Sequence, residues 1–172
     1  MKKALVVATV VGFIANFEMN DILILQRMEY EVHIAADMSD CNNKEKLYGL
    51  LSSGVIAHDI KFSRNPFKAG NIKAFKELRD LAQAERFDLL HCHTPVGGVF
   101  GRMVGHGTGV TQVLYTAHGF HFFKGAPLKN WLLFFPIEKF CSRWADIQIT
   151  INSEDYDRAK TFHTKKVRRI HG

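Results

Sequence analysis

Short apolar runs alternate with amphipathic segments along almost the whole chain. Apolar, β-branched runs predict strands at residues 3–9, 31–36, 55–60, 88–92, 111–116 and 147–151. Apolar positions three and four residues apart predict helices at residues 18–28, 44–53, 69–86, 98–105, 128–144 and 153–160, with Pro136 bending the fifth of them. Such alternation with short connections gives right-handed crossovers. The pattern therefore predicts an α/β fold: a Rossmann-like, doubly wound parallel sheet with helices on both faces.

Length and composition indicate one globular domain over residues 1–172. The chain has 172 residues, of which 47% are hydrophobic and 23% charged, as in ordinary folded domains. The three cysteines are odd in number and far apart, which argues against a disulfide framework and favours a reducing cytosol. Residues 4–11 follow two lysines as in a signal peptide, but no cleavage site follows them, so we expect a buried first strand.

Positive charge is concentrated in two stretches. The net charge is +6, and six of the 23 lysines and arginines follow the last acid, Asp157. Residues 61–76 contain no acid and interleave basic residues with phenylalanines. This stretch is either a surface for an anionic membrane or a phosphate-bearing partner, or a solvated face whose phenylalanines lie in the core. No nucleic-acid-binding motif accompanies it, so we expect no nucleic-acid partner.

Three loops, at residues 10–17, 93–98 and 117–125, are predicted to form the functional site. The carboxyl ends of parallel strands meet at one edge of a sheet, where ligands bind. The first loop contains a single glycine, Gly12, and lacks the G-x-G-x-x-G pattern. Glu18 opens the next predicted helix, and an acid at that position disfavours dinucleotide phosphates. The pattern is therefore not typical of a nicotinamide-dependent dehydrogenase.

The other two loops carry histidines and glycines. His93 ends a predicted strand, and Gly97 and Gly98 follow at the start of a helix, where free backbone N–H groups can bind a phosphate or a sugar hydroxyl. His118 lies beside the flexible Gly119 where the next strand breaks into a loop. From position alone, His118 either caps the strand end or acts in catalysis or binding.

A metal site built from these histidines is geometrically conceivable. It would combine His91 and His93, on one face of a strand, with His118 and His121 on the neighbouring loop. No acidic residue accompanies them in either loop, so we expect no metal. The chain also lacks a G-x-S-x-G nucleophile elbow and a catalytic cysteine signature.

Five segments form an ordered set. They are Val7-Ala-Thr-Val-Val-Gly-Phe-Ile14, Tyr30-Glu-Val-His-Ile-Ala-Ala36, Phe87-Asp-Leu-Leu-His-Cys-His-Thr-Pro-Val-Gly-Gly98, Tyr115-Thr-Ala-His-Gly-Phe-His-Phe122 and Ile149-Thr-Ile-Asn-Ser-Glu-Asp-Tyr156. Together they resemble the amino-terminal domain of bacterial family 4 glycosyltransferases, in the branch that builds capsular and extracellular polysaccharides. The resemblance implies a GT-B architecture, in which two Rossmann-like domains enclose the active site. This chain would be the acceptor-side domain, without the carboxyl-terminal donor-binding domain, and we expect it to be inactive alone.

The resemblance also implies an activity and roles for residues. The reaction is transfer of a sugar from a nucleotide-diphosphate donor to a lipid-linked saccharide, with retention at the anomeric carbon and without a metal or other cofactor. His118 would be catalytic and lie against the transferred sugar, and Gly12 and Gly119 would bind the donor. The acceptor side would consist of His93, Thr94, Gly97, Gly98 and His121.

The family further implies a cytoplasmic protein, peripheral at the inner face of the cell membrane. Residues 61–76 and the helix segment 129–143 would contact that anionic surface. Alternatively, the apolar residues of the helix segment pack in the core. Two positions depart from the family pattern: the first loop has one glycine instead of a pair, and Glu29 stands where a left-handed residue, usually glycine, ends a helix. Two other classes stay open, a non-enzymatic Rossmann-like module that binds a nucleotide or sugar, and a metal-dependent hydrolase built on the histidines.

Overall fold

A computed structural model describes residues 1–170 and contains one seven-stranded sheet. Its strands are β1 (Lys2–Val10), β2 (Tyr30–Asp37), β3 (Ile56–Asp59), β4 (Leu89–His93), β5 (Gln112–Ala117), β6 (Ile147–Thr150) and β7 (Lys166–Arg169). They lie in the order β3-β2-β1-β4-β5-β6-β7, and each adjacent pair is parallel. The chain starts near the centre and winds outwards in both directions, which creates a topological switch point between β1 and β4.

Helices cover both faces of this sheet. They are α1 (Val11–Phe17), α2 (Met19–Arg27), α3 (Lys44–Ser52), α4 (Gly70–Glu85), α5 (Pro95–Thr108), α6 (Leu128–Cys141) and α7 (Ser153–Ala159), with a 3-10 turn at Ser142–Trp144. The predicted doubly wound, Rossmann-like α/β fold is therefore confirmed. Within residues 1–170, no helix is long and apolar enough to cross a membrane.

The central strand β1 is buried from both sides. Leu5 and Val7 pack into one hydrophobic cluster, whereas Ala4 and Val6 pack into a second cluster. Successive side chains of a strand point to opposite faces, so a continuous apolar run suits a strand that is covered by helices on both sides. Each fully buried Leu or Val contributes about 1.5–3 kcal/mol relative to an exposed one. The apolar run near the amino terminus is thus a core strand, as predicted.

The prediction of a loop at residues 10–17 is wrong, because residues 11–17 form α1. Val11, Ile14 and Ala15 are the buried residues of this helix. Their spacing of three and four positions gives the short helix one apolar face. The run from residue 4 to residue 15 therefore contains a strand followed directly by a helix. Val10, the last residue with extended backbone, precedes the first turn of α1.

The edge strand β7 was not predicted. Lys166–Arg169 pairs in parallel with β6, and most of its side chains are exposed. Charged side chains are usual on edge strands, where they prevent pairing with other chains. The basic carboxyl-terminal stretch is therefore part of the sheet, through backbone pairing that side-chain patterns do not reveal.

Glu29 follows α2 with a φ of 63°. A left-handed backbone at this position was expected, and the structure confirms it. The conformation costs a non-glycine residue about 1–2 kcal/mol, and here it turns the chain from α2 into β2.

Candidate active site

Three segments meet at the carboxyl edge of the sheet beside the switch point. His93 is the last residue of β4, His118 follows β5, and Glu18 separates α1 from α2. Glu18 Oε1 lies 3.3 Å from His93 Nδ1 and 3.4 Å from His118 Nε2. The same two histidine nitrogens are 3.4 Å apart. Two residues from the predicted site are thus in contact with each other and with an acid from a third segment.

Sequence reasoning missed this role of Glu18. It predicted Glu18 at a helix start, as an acid that disfavours phosphate binding there. In the structure, Glu18 lies at the break between α1 and α2 and is only 3% exposed. One signal was available: Glu18 is the only acid among the first twenty residues. Its contact with two histidines nevertheless depends on how three segments pack.

Glu18, His93 and His118 are called the triad from here on. A third histidine, His91, and a second carboxyl group, that of Asp21, lie behind it. His91 Nε2 is 2.8 Å from Thr116 Oγ1, and His91 Nδ1 is 3.7 Å from Asp21 Oδ2. Burial lowers the pKa of His91 to about 4 and the pKa of His93 well below its ordinary value. Burial, followed by the charge of Glu18, raises the pKa of Asp21 to about 6. At neutral pH both buried histidines are therefore neutral. The carboxyl groups of Glu18 and Asp21 lie beside them, and we call these two residues the acidic floor of the site.

No lysine or arginine of residues 1–170 forms an ion pair with Glu18 or Asp21, whose partners within 4 Å are histidines. A buried carboxylate without a positive partner is costly in free energy. The chain as a whole carries a net charge of +6, so this acidic floor is a local feature that composition does not reveal.

A cavity of about 200 Å³ opens beside His118, the one residue of the triad among its lining residues. His118 forms part of its wall with 28% of its side chain exposed, and Phe13 packs edge-on against the imidazole with ring centroids 4.8 Å apart. Gly119, with a φ of 125°, and His121 also line this cavity. The predicted loop after β5 therefore forms the wall of a real cavity.

Thr94 lies at the opposite wall in strained backbone. Its φ of 63° and ψ of 159° belong to a sparsely populated region that costs a non-glycine residue about 1–3 kcal/mol. Its hydroxyl accepts a hydrogen bond from the Thr9 backbone N–H at 3.0 Å and lies 2.7 Å from the Thr9 hydroxyl. These bonds hold the end of β1 to the start of α5, and strain of this kind is found most often at functional sites.

The remaining predicted glycines serve close packing. A Cβ on Gly12 would lie 2.9 Å from the carbonyl oxygen of Asp40, to which the Gly12 N–H donates a hydrogen bond at 3.1 Å. A Cβ on Gly97 would lie 3.1 Å from the Ala8 Cα, and one on Gly98 would lie 2.4 Å from the Tyr115 ring. These residues therefore allow α1 and α5 to approach their neighbours.

Of the expected acceptor residues, His93, Gly97 and Gly98 are buried, and His93 is 0% exposed. Contact with an acceptor from these positions would be indirect, whereas Thr94 and His121 line the cavity. Gly12 is not among the lining residues of that cavity. The structure thus separates the predicted site residues into a lining group and a supporting group.

A buried ion pair holds the wall that α6 contributes. Arg102 Nη2 lies 2.9 Å from Glu138 Oε2, and the Tyr115 hydroxyl donates a hydrogen bond to Glu138 Oε1 at 3.1 Å. Arg102 has no exposed surface. Removing one partner of such a pair costs about 3–5 kcal/mol because the other charge stays buried. This network, which the sequence analysis did not predict, positions α6 against α5.

The sheet order defines a Rossmann-like domain, and the cavity and the clustered histidines lie at the carboxyl edge, where open α/β sheets bind ligands. Residues 4–153 match the family model described as Glycosyl transferase 4-like. The chain therefore belongs to the glycosyltransferase 4-like family, as its motifs indicated.

Individual relatives agree with this assignment. The chain is 42% identical over 182 aligned residues to the Bacillus subtilis (strain 168) protein "Putative glycosyltransferase EpsD", covering 99% of this chain and 44% of EpsD. It is 27% identical over 116 residues to an Escherichia coli UDP-Gal:alpha-D-GlcNAc-diphosphoundecaprenol alpha-1,3-galactosyltransferase, covering 67% of this chain and 30% of that enzyme. The chain thus spans less than half the length of these relatives.

A solved structure shares the fold. The S. aureus MnaA-UDP complex superimposes with a TM-score of 0.69 at 13% identity, over 97% of this chain and 44% of MnaA. At this identity the similarity concerns the fold alone.

Proposed function

We propose that this chain is the acceptor-side domain of a retaining, metal-independent glycosyltransferase. The enzyme transfers a sugar from a nucleotide-diphosphate donor to a lipid-linked saccharide in the cytoplasm during surface polysaccharide synthesis. The observation that carries the proposal is the placement of His118, which lies partly exposed on a cavity at the carboxyl edge of the sheet. The name of the E. coli relative, which includes a UDP-sugar and an undecaprenol-linked acceptor, supports both substrate classes.

The electrostatics of the site assign different tasks to the two sides of the cleft. Positive charge develops on the transferred sugar as the bond to the diphosphate breaks, and the acidic floor behind His118 stabilises that charge. The same floor repels a diphosphate. The leaving group is therefore stabilised by a second domain, which is why this chain alone is expected to be inactive. His118 hydrogen-bonds the sugar, and Gly119 gives the adjacent backbone room to move.

The supporting residues act through geometry. His93 holds His118 and Glu18 in place from the buried side, and the packing of Gly97 and Gly98 sets the start of α5. Thr94 and His121 contact the acceptor at the cavity wall. Gly12 influences the donor only through the position of α1, because its N–H is bonded to Asp40.

A transfer assay tests the proposal. This chain, the same chain extended by its own downstream gene sequence, and the His118→Ala variant of the extended chain are incubated with UDP- and GDP-sugars and a lipid-linked saccharide. We expect transfer by the extended chain only, with a loss of about 100-fold or more in His118→Ala. His106→Gln, an exposed histidine at the far end of α5, is the matched control. Wild-type turnover in His118→Ala would overturn the role of His118, and binding without turnover would favour the non-enzymatic module.

The proposal also includes contact between α6 and an anionic membrane surface. On α6, Leu128, Leu132 and Phe140 are exposed among basic residues, as in helices that lie on an anionic surface. In the stretch 61–76, by contrast, Lys61 pairs with Asp37 and Asp59, and Arg64 pairs with Asp40. These acids from other segments neutralise part of the charge.

Flotation with anionic liposomes tests the contact. We expect co-flotation of the chain at low salt, release at high salt and weaker binding of a Leu132→Ser variant. Absence of co-flotation at low salt would remove membrane contact from the proposal and leave the transfer reaction untouched.

A further inference from the structure

The three polar atoms of the triad form a nearly equilateral triangle. Glu18 Oε1, His93 Nδ1 and His118 Nε2 are separated by 3.3, 3.4 and 3.4 Å. Typical N–H···O hydrogen bonds are shorter, at about 2.9–3.0 Å. Zn²⁺ binds histidine nitrogen and carboxylate oxygen at about 2.0–2.2 Å, so two corners of its tetrahedron lie about 3.3–3.6 Å apart. The triangle has the dimensions of three ligands around one tetrahedral cation.

The chemistry of the three atoms also suits a cation. Glu18 is buried, and among residues 1–170 its ion-pair partners are the two histidines alone. His93 is completely buried and directs Nδ1 towards Glu18 and His118. A carboxylate and two imidazoles are ordinary ligands of divalent transition metals. A metal ion would supply the positive charge that this acidic floor lacks.

We propose that Glu18, His93 and His118 bind one divalent transition-metal ion, with Zn²⁺ as the best match to the ligand set. The fourth coordination position faces the cavity and takes water. The expectation of no metal rested on the absence of an acid from the two histidine loops, and Glu18 removes that ground by reaching the histidines from between α1 and α2.

This metal site acts on transfer as an inhibitor, a consequence that rests on the proposed function. His118 Nε2 can contact either the metal or the sugar, because the same lone pair serves both. A bound metal therefore competes with the donor, which agrees with transfer that itself needs no metal.

Binding is measured first, on this chain purified without a histidine tag and stripped with a chelator. Titration with Co²⁺, read by its visible d–d absorption, should show one equivalent in tetrahedral coordination, and Zn²⁺ should displace it. We expect His118→Ala and Glu18→Gln to weaken Co²⁺ binding by about 100-fold or more. His118 lies partly at the surface, so its variant is expected to fold, which circular dichroism verifies.

The control is His58→Gln, which alters the histidine pair at the opposite edge of the sheet and should bind Co²⁺ as the wild type does. Absence of Co²⁺ binding to the wild type would overturn the proposal. So would equal binding by the wild type and His118→Ala, or an equal loss in His58→Gln.

Transfer by the extended chain is measured second. We expect chelators to leave the rate unchanged, and Zn²⁺ to raise the KM for the donor without changing kcat. Failure of transfer under all conditions would count against the proposed function and leave the metal site standing. If Zn²⁺ binds but does not change the KM for the donor, the inhibitory role is wrong and the metal site still stands.

Discussion

Two clusters of histidine and carboxylate side chains lie at opposite edges of the same sheet. At the amino edge, His33 Nε2 is 3.0 Å from Glu31 Oε1, and His33 Nδ1 is 2.9 Å from His58 Nε2. Lys3 Nζ lies between two acids, 3.4 Å from Glu31 Oε1 and 2.5 Å from Glu85 Oε2. At the carboxyl edge, the triad of Glu18, His93 and His118 has longer separations, and no lysine of residues 1–170 pairs with it.

The two clusters differ in whether a lysine ammonium group lies between the acids. Both clusters place a carboxylate and at least one histidine within reach of a common cation. In the amino-edge cluster the Lys3 ammonium occupies that position, so the group is satisfied from within the chain and serves the fold. In the carboxyl-edge cluster no lysine or arginine of residues 1–170 pairs with Glu18, and a cavity adjoins His118, so the group is available for a ligand. Residue types alone do not separate a structural cluster from a functional one.

Replacing Lys3 should make the amino-edge cluster able to bind a metal ion, as the carboxyl-edge cluster is proposed to do. In Lys3→Met, Glu31, His33 and Glu85 keep three ligand atoms without a competing ammonium, so we expect a second Co²⁺ equivalent that the wild type does not bind. Co²⁺ titration measures this, with the neighbouring Lys2→Met as the control. A Lys3→Met protein that binds a single equivalent would show that the lysine does not explain the difference.

Neutralising one acid in each cluster should raise the free energy of unfolding only in the carboxyl-edge cluster. Glu18→Gln removes a buried, uncompensated charge and is expected to raise the free energy of unfolding of the metal-free protein by about 1 kcal/mol. Glu31→Gln removes a charge that already has partners and should bring no gain. Urea unfolding in the presence of a chelator measures both. A less stable Glu18→Gln protein would mean that the carboxylate is already well satisfied.

The two edges should also respond oppositely to pH. The pKa of Asp21 is raised from its ordinary value of 3.8 to about 6. Between these two pH values the native state therefore holds a proton that the unfolded state has lost. Its stabilising contribution is present below about pH 4 and is lost as the pH rises through about 6. At the amino edge, a hydrogen bond from His33 lowers the pKa of Glu31, and one from Lys3 lowers that of Glu85. Their contribution is present above the ordinary value of 4.5 and is lost as the pH falls through the lowered pKa.

Unfolding free energies of the chelated protein across this pH range measure the effect. Asp21→Asn should flatten the loss between about pH 4 and 6, by about 1 kcal/mol after allowance for the solvent screening of a half-exposed group. Lys3→Met should instead reduce the loss of unfolding free energy that occurs below about pH 4.5. If Asp21→Asn leaves the profile unchanged, the proton that the native state holds at the carboxyl edge is not on Asp21.

Much of the fold was predictable because side-chain periodicity reports burial. The apolar run of β1 and the β-branched run of β5 each face helices on both sides, and they were predicted within one or two residues. Periodicity failed where burial was not the cause. The edge strand β7 forms by backbone pairing with β6, and α1 continues an apolar run in which strand and helix spacings coincide.

The sequence by itself determined the strand-helix alternation, the edge of the sheet on which the site lies, and the position of His118 there, because each depends on local patterns and on the direction of parallel strands. The contact of Glu18 with His93 and His118 was decided only by the tertiary structure, as were the use of Gly12, Gly97 and Gly98 for packing and the buried position of His93. Each of these depends on the distance between segments far apart in the chain. Charge compensation is such a property as well: Lys3 neutralises one cluster and leaves the other acidic because the folded sheet places them at opposite edges.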